Sequence, residues 1–170
     1  MQHAPSNTTA SVVIMTASDT RTLEDDKSGE FIAQVLLGNG HSLIGREVVK
    51  EDRGRIESMV SGWLQNPDVQ VIIVTGGTGA SPRDITPDIL IPMFDSVLPG
   101  FGELFRQLSY KEIGAASMLS RAEAGWIDVG GVRKIVFLIP GSPNAVRLAM
   151  EELILPQLGH LLDITRLEQP

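Results

Sequence analysis

No cysteine occurs anywhere in the 170-residue sequence. That excludes a disulfide framework, a thiolate zinc site and a cysteine nucleophile, though it does not fix the compartment. Positive charge is also scarce: 14 Lys and Arg stand against 21 Asp and Glu, for a net charge of −7. General nucleic-acid binding is thereby excluded, because neutralising a phosphate backbone needs clustered cations. An anionic ligand has to be held locally instead, by aimed backbone N–H groups, a few arginines or a divalent metal. The three histidines, His3, His41 and His160, are too scattered to form a metal-ligand set. No apolar run approaches the roughly 20 residues a membrane helix needs. The polar start Met1–Ala10 lacks the basic and apolar regions of an export signal, so the expected location is cytoplasmic, with no membrane partner. The common nucleotide fingerprints are missing too. There is no GxxxxGK[ST], and GGTGAS lacks the last glycine of GxGxxG.

With 42% apolar residues the chain can bury a full core, and its length suits one domain. The expected organisation is a flexible lead-in over residues 1–10, a single domain over 11–165 and a tail over 166–170. Within it, Ser11–Thr16, Leu43–Val49, Val69–Val74 and Lys134–Ile139 read as strands. Apolar residues recur at helical spacing at Phe31, Ile32, Val35 and Leu36, and again at Ile56, Met59, Val60, Trp63 and Leu64. A further helix is marked by Phe101, Leu104, Phe105 and Leu108. Thr86-Pro87 and Ser142-Pro143 look like caps followed by proline at the first helical position. The second of these helices is expected to reach about Leu155, followed by a last segment over Leu158–Ile164. Trp126, Ile127 and Val129 before Gly130-Gly131 suggest a hairpin. Alternating strands and helices predict an α/β fold: a three-layer α/β/α arrangement with a mostly parallel central sheet and a small added hairpin.

The sharpest chemical feature is Thr75-Gly76-Gly77-Thr78-Gly79, directly after a buried strand. Ligands of open α/β sheets bind at the carboxyl ends of strands, and consecutive N–H groups in such a loop can cradle an anion. The same loop could equally be a tight turn. Arg83 offers a bidentate grip on phosphate. Asp84 beside a phosphate loop calls for a bridging cation such as magnesium, or else is an Asx-turn residue. Asp88 reads as a carboxylate placed in a first helical turn. Pro140-Gly141-Ser142-Pro143 is a second strand-to-helix loop, where Ser142 is either a plain N-cap or a ligand contact. Ser18-Asp19 follows the first strand and could face the same sheet edge. Arg106 and Arg121 could neutralise anions, and Asp25-Asp26 reads as a solvated loop.

Taken together these residues resemble the MoaB/MogA family, which includes the G domain of gephyrin. The matching stretches are TASDT (16–20), DDKSG (25–29), VVKED (48–52), TGGTGASPRDITPD (75–88), LPGFGE (98–103), MLSRAEAG (118–125) and IPGSPNAV (139–146). They come in family order and cover nearly the whole chain after residue 10. FRQLSYKEIG (105–114) is closer to the MoaB branch than to MogA. The resemblance implies an α/β/α fold assembled as a homotrimer, or as a homohexamer in part of the MoaB branch. It implies the reaction of ATP with molybdopterin to give adenylylated molybdopterin and pyrophosphate, with Mg2+. A separate molybdate-inserting partner would then act on the product. Carried over by motif, Asp84 and Asp52 match the catalytic, metal-holding acidic positions. The Thr75–Gly79 loop matches the phosphate- and pterin-contacting loop, and Ser109 and Ser120 match serines of the binding site. Two rival readings remain: a non-catalytic molybdopterin scaffold or carrier, and a regulatory or hydrolytic nucleotide enzyme on the same fold.

Overall fold

The structure is a computed structural model that describes residues 6–166. One six-stranded sheet runs through it in the order β2-β1-β3-β6-β5-β4. Strands β1 (Ser11–Ala17), β2 (Ser42–Val49), β3 (Val71–Thr75) and β6 (Val132–Ile139) are parallel to their neighbours within this group. Strands β5 (Glu123–Val129) and β4 (Ser96–Val97) extend the sheet antiparallel, and β5–β6 is the predicted hairpin. The two-residue β4 carries too little pattern to be read from sequence. Strand β3 begins at Val71 rather than at the expected Val69 because Val69 is taken up by a turn, its N–H donating to Asn66 O at 3.2 Å.

The central strands are apolar at consecutive positions because both faces of the sheet are covered. Val12, Ile14, Ile73 and Phe137 pack under α1 (Lys27–Gly38), α4 (Pro99–Ile113), α5 (Pro143–Leu148) and α6 (Leu155–Thr165). Val13, Met15, Ile72 and Leu138 face the other way, against α2 (Arg53–Gln65) and the one-turn α3 (Thr86–Leu90). The expected three layers are thus present. Each fully buried Ile or Leu contributes on the order of 1.5–3 kcal/mol relative to exposure.

Several local expectations are revised. The helix from Pro143 and the last segment join: α5 passes through a wide π turn, Ala149–Ile154, into α6. Pro156 has no N–H for the carbonyl one turn back, and the widened turn accommodates that loss. Thr86 does not cap α3; its hydroxyl is buried without a hydrogen-bond partner, and Ile85 precedes the helix. Ser142 holds the N-cap position of α5, but its hydroxyl makes no capping bond. Asp26 is not solvated: it is buried, caps α1 at Gly29 N and accepts from Thr16 Oγ1 at 2.8 Å. Residues 6–10 of the lead-in are docked, with Ser6 and Thr8 hydroxyls each 2.6 Å from Asp163 and Ala10 N–H donating to His41 Nδ1 at 3.0 Å. Residues 1–5 and 167–170 lie outside the described residues.

Buried Lys134 puts its ammonium on the last carbonyls of α2, Trp63 O at 3.5 Å and Asn66 O. A cation there complements the helix dipole. Burial lowers its pKa from 10.5, with partial compensation from Asp68.

Candidate active site

Strands β1, β3 and β6 end side by side. The chain leaves β1 for β2 on one flank, then crosses back to β3 on the other, so strand order reverses between β1 and β3. At such a switch point the two outgoing loops diverge and leave a crevice. A cavity of about 380 Å3 opens there, lined by Ser18, Gly76, Gly77, Gly141 and Ser142 together with Arg21 and Glu51. Five of the residues singled out from sequence thus meet in one place.

The glycine loop is stitched down behind this cavity. Thr75 Oγ1 donates to Pro140 O at 3.0 Å, and Gly76 N–H donates to Ile139 O at 3.0 Å. Gly76 and Gly77 have φ of +98° and +64°. A Cβ on Gly76 would stand 2.3 Å from Ala17 O, and one on Gly77 2.4 Å from Thr86 Oγ1. Only glycine satisfies both the backbone and the space. The buried Thr78 and Gly79 are held by Arg121, whose N–H donates to Thr78 O at 2.8 Å and whose Nε donates to Gly79 O at 2.9 Å. Arg121 also donates to Asp84 O and grips the Asp88 carboxylate at 2.8 and 2.9 Å. So Arg121 is committed to shaping the loop, and Asp88 is its counter-ion as well as a first-turn carboxylate. Arg106 is likewise committed, to Ser120 O and Ala122 O at 3.4 and 3.0 Å.

Asp84 sits in a tight turn, with its N–H to Ser81 O at 2.9 Å and its Oδ2 accepting from Ser81 N at 3.2 Å. It nevertheless faces other acids. Glu51 is the residue that sequence reasoning missed. It lines the cavity, and its Oε2 lies 3.6 Å from where a Gly77 Cβ would be. Burial, then the Asp84 and Asp19 carboxylates, push its pKa above 4.5, against a partial offset from Arg83. Asp19 joins the group by accepting from Glu51 N–H at 3.1 Å and pairing with Arg83 at 3.3 Å.

Asp52 takes a different part. Its carboxylate accepts from Arg55 N at 3.0 Å as the N-cap of α2, and it lines a neighbouring groove of about 870 Å3. The structure therefore groups Asp84 with Glu51, the chain neighbour of the acid chosen from the motif. The motif VVKED contains two adjacent acids and does not say which turns inward. A usable signal existed: an Asp four residues before the first apolar position of a helix is an N-cap candidate. Ser120 lines a third cavity of about 550 Å3 with Arg106 and Arg121, and Ser109 is buried on α4. Neither serine lines the glycine-loop cavity.

Glu51 yields a stability prediction. A carboxyl whose folded pKa is raised binds more protons folded than unfolded, so stability falls as pH rises from the ordinary carboxylate range through the folded pKa. Glu51→Gln stays neutral throughout. The ligand-free variant is expected to melt above wild type at pH 7, with the gap closing as pH falls through the raised folded pKa toward the ordinary value of 4.5. Equal melting temperatures at pH 7 would remove Glu51 from the acidic group.

Among the described residues no group of three or more His, Cys, Asp or Glu is arranged to hold a metal ion by itself. No helix among them is long and apolar enough to cross a membrane.

The fold defines a doubly wound α/β protein with a crevice at the carboxyl edge of its sheet. The chain belongs to the family described as "Probable molybdopterin binding domain", whose model matches residues 13–160. It is 48% identical over 149 residues to molybdenum cofactor biosynthesis protein B of Bacillus cereus, covering 87% of this chain and 86% of that one. The Escherichia coli protein of the same name is 42% identical, with 86% and 84% covered. Among solved structures, the tungsten cofactor synthesizing protein MoaB from Pyrococcus furiosus superposes with a TM-score of 0.83 at 35% identity, covering 94% and 98%.

Proposed function

We propose that this chain is a molybdopterin adenylyltransferase that moves AMP from ATP to the terminal phosphate of molybdopterin. One observation carries the reading: two carboxylates flank the glycine loop at the switch point, Glu51 Oε2 3.6 Å from a Cβ built on Gly77 and Asp84 Oδ2 2.7 Å from one built on Gly79, with Asp19 bonded to Glu51 N–H and paired with Arg83. A simple anion-binding pocket would not gather carboxylates, which repel phosphate. Acids in that place make sense where a cation arrives with the ligand. Magnesium keeps several waters and binds through one or two carboxylates plus substrate phosphates, which fits a group too small to hold a metal alone. Glu51 and Asp84 would hold it, and its charge would favour departure of the pyrophosphate.

The protein's own residues then have few tasks. The terminal phosphate of molybdopterin is already ionised, so no base is needed, and the 380 Å3 cavity lacks histidine. Its oxygen bonds to the α-phosphorus of ATP, the bond from that phosphorus to the β,γ-unit breaks, and pyrophosphate carries away the electron pair. Catalysis is positioning and charge neutralisation. N–H groups of the glycine loop orient phosphate oxygens, and Arg83, whose exposed guanidinium pairs with Asp19 at 3.3 Å, can swing onto them. The test is a coupled assay with purified protein, molybdopterin and MgATP, read by mass spectrometry for the adenylylated pterin. Pterin binding without product would point to a carrier, and ATP turnover without the pterin to a hydrolase. A separate molybdate-inserting protein would receive the product.

The same reading includes a closed homo-oligomer, a trimer or a hexamer. An apolar groove of about 520 Å3 between α4 and α6, flanked by exposed Leu104 and Ile164, supports it. Light scattering should give one of these two masses; a monomer at micromolar concentration would refute it.

A further inference from the structure

We propose that Arg21 is a catalytic residue of the transfer, a guanidinium placed to contact both reacting phosphates where two cavities meet. The inference rests on the transfer reading above. Arg21 and Ser18 line the glycine-loop cavity and also the larger groove along α2, so they form the shared wall. Among the described residues lining the glycine-loop cavity, Arg21 is the one cation and Glu51 the one acid. In the α2 groove it is joined by Lys50 and Arg55, three cations against the two acids Asp19 and Asp52, of which Asp52 is engaged as the cap of α2 and Asp19 with Arg83. Two anionic reactants approaching from the two sides therefore meet at Arg21.

Its place is built by the fold. The Arg21 N–H donates to Ser18 Oγ at 3.2 Å, closing a turn at the end of β1. The guanidinium reaches back to the first turn of α1, 3.4 Å from Ser28 Oγ and 3.9 Å from the buried Asp26 carboxylate. Asp26 already accepts from Gly29 N and Thr16 Oγ1, and Ser28 Oγ already donates to Gly141 O at 3.0 Å. Asp26 and Ser28 thus hold one edge of the guanidinium. The side chain is 35% exposed, and its five N–H donors leave several for ligand oxygens. Repulsion between the attacking phosphate and the triphosphate opposes their approach. A planar cation between them removes it and stabilises the charge spread over the transferring group as the O–P bond forms and pyrophosphate departs.

The test uses full-length Arg21→Ala and Arg21→Lys. The alanine variant should lose about 10³-fold in kcat, with part of the loss restored by added guanidinium. The lysine variant keeps charge and stem but not the fork, and should fall between the two. It also covers the case in which the alanine variant fails to fold. Alanine activity within about threefold of wild type, a lysine variant as active as wild type, or a folded alanine variant that guanidinium does not rescue would overturn the proposal. Calorimetry with ATP alone and with molybdopterin alone separates this from the transfer reading. If wild type forms no adenylylated pterin, the transfer reading fails, but Arg21→Ala must still weaken both ligands if the residue bridges them. Weakening of only one, or of neither, overturns the bridge.

Discussion

Asp84→Asn should suppress adenylyl transfer by about two to three orders of magnitude while leaving molybdopterin binding almost unchanged. Metal stabilisation of a departing anion is worth several kcal/mol, and each ~1.4 kcal/mol is tenfold in rate. The variant is a clean probe because Asn separates the turn role of Asp84 from the metal role proposed for it. Its Oδ2 accepts from Ser81 N–H at 3.2 Å and shapes the turn; an Asn side-chain carbonyl accepts equally well and is among the best turn residues. The negative charge is what disappears. Removing it also relieves Glu51, whose pKa Asp84 helps to raise, so the ligand-free variant should melt no lower than wild type. Molybdopterin is anionic, and loss of a nearby carboxylate does not harm its affinity. Transfer lost with binding kept supports the enzyme; transfer within a few-fold of wild type would leave Asp84 as a turn residue and refute the metal assignment.

The second large effect belongs to Gly77→Val. From sequence alone this change is expected to abolish ligand binding while sparing the fold. The geometry demands more. Gly77 has a φ of +64°, and its added Cβ would lie 2.4 Å from Thr86 Oγ1. Holding a β-branched residue in the left-handed region costs on the order of 1–3 kcal/mol, and displacing Thr86 adds to it, because Thr86 N–H is bonded to Gly77 O at 3.2 Å. We expect a loss of roughly 3 kcal/mol or more in denaturant unfolding, together with loss of molybdopterin and ATP binding. A variant that unfolds like wild type would mean that the loop adapts freely; one that also binds normally would reduce the loop to a connection.

The architecture was largely legible because period and punctuation are local. Consecutive apolar runs identified the central strands, and the spacing of Ile56, Val60 and Leu64 identified α2. The failures lie where a side chain's partner is remote in the chain. Asp26 looked solvated because nothing nearby predicts that Thr16 Oγ1 will donate to it. Thr86 looked like a cap because the sequence does not show Gly77 packing against its hydroxyl, which is buried without a hydrogen-bond partner. Arg121 looked like a free cation, yet 33 residues separate it from Asp88 and 42 from Gly79, which it holds.

By itself the sequence determined the layers, the strand ends that carry the glycine loops and the kinds of residue available there, since these follow from side-chain period, glycine content and charge. Tertiary structure decided which acid of the adjacent pair turns toward Asp84. Glu51 and Asp52 are neighbours in the chain, but the α2 helix claims Asp52 as its cap while Glu51 turns toward the glycine loop. Hydrogen bonding at a helix start and strand crossing at the switch point settle that choice, and neither is written in a pair of adjacent carboxylates.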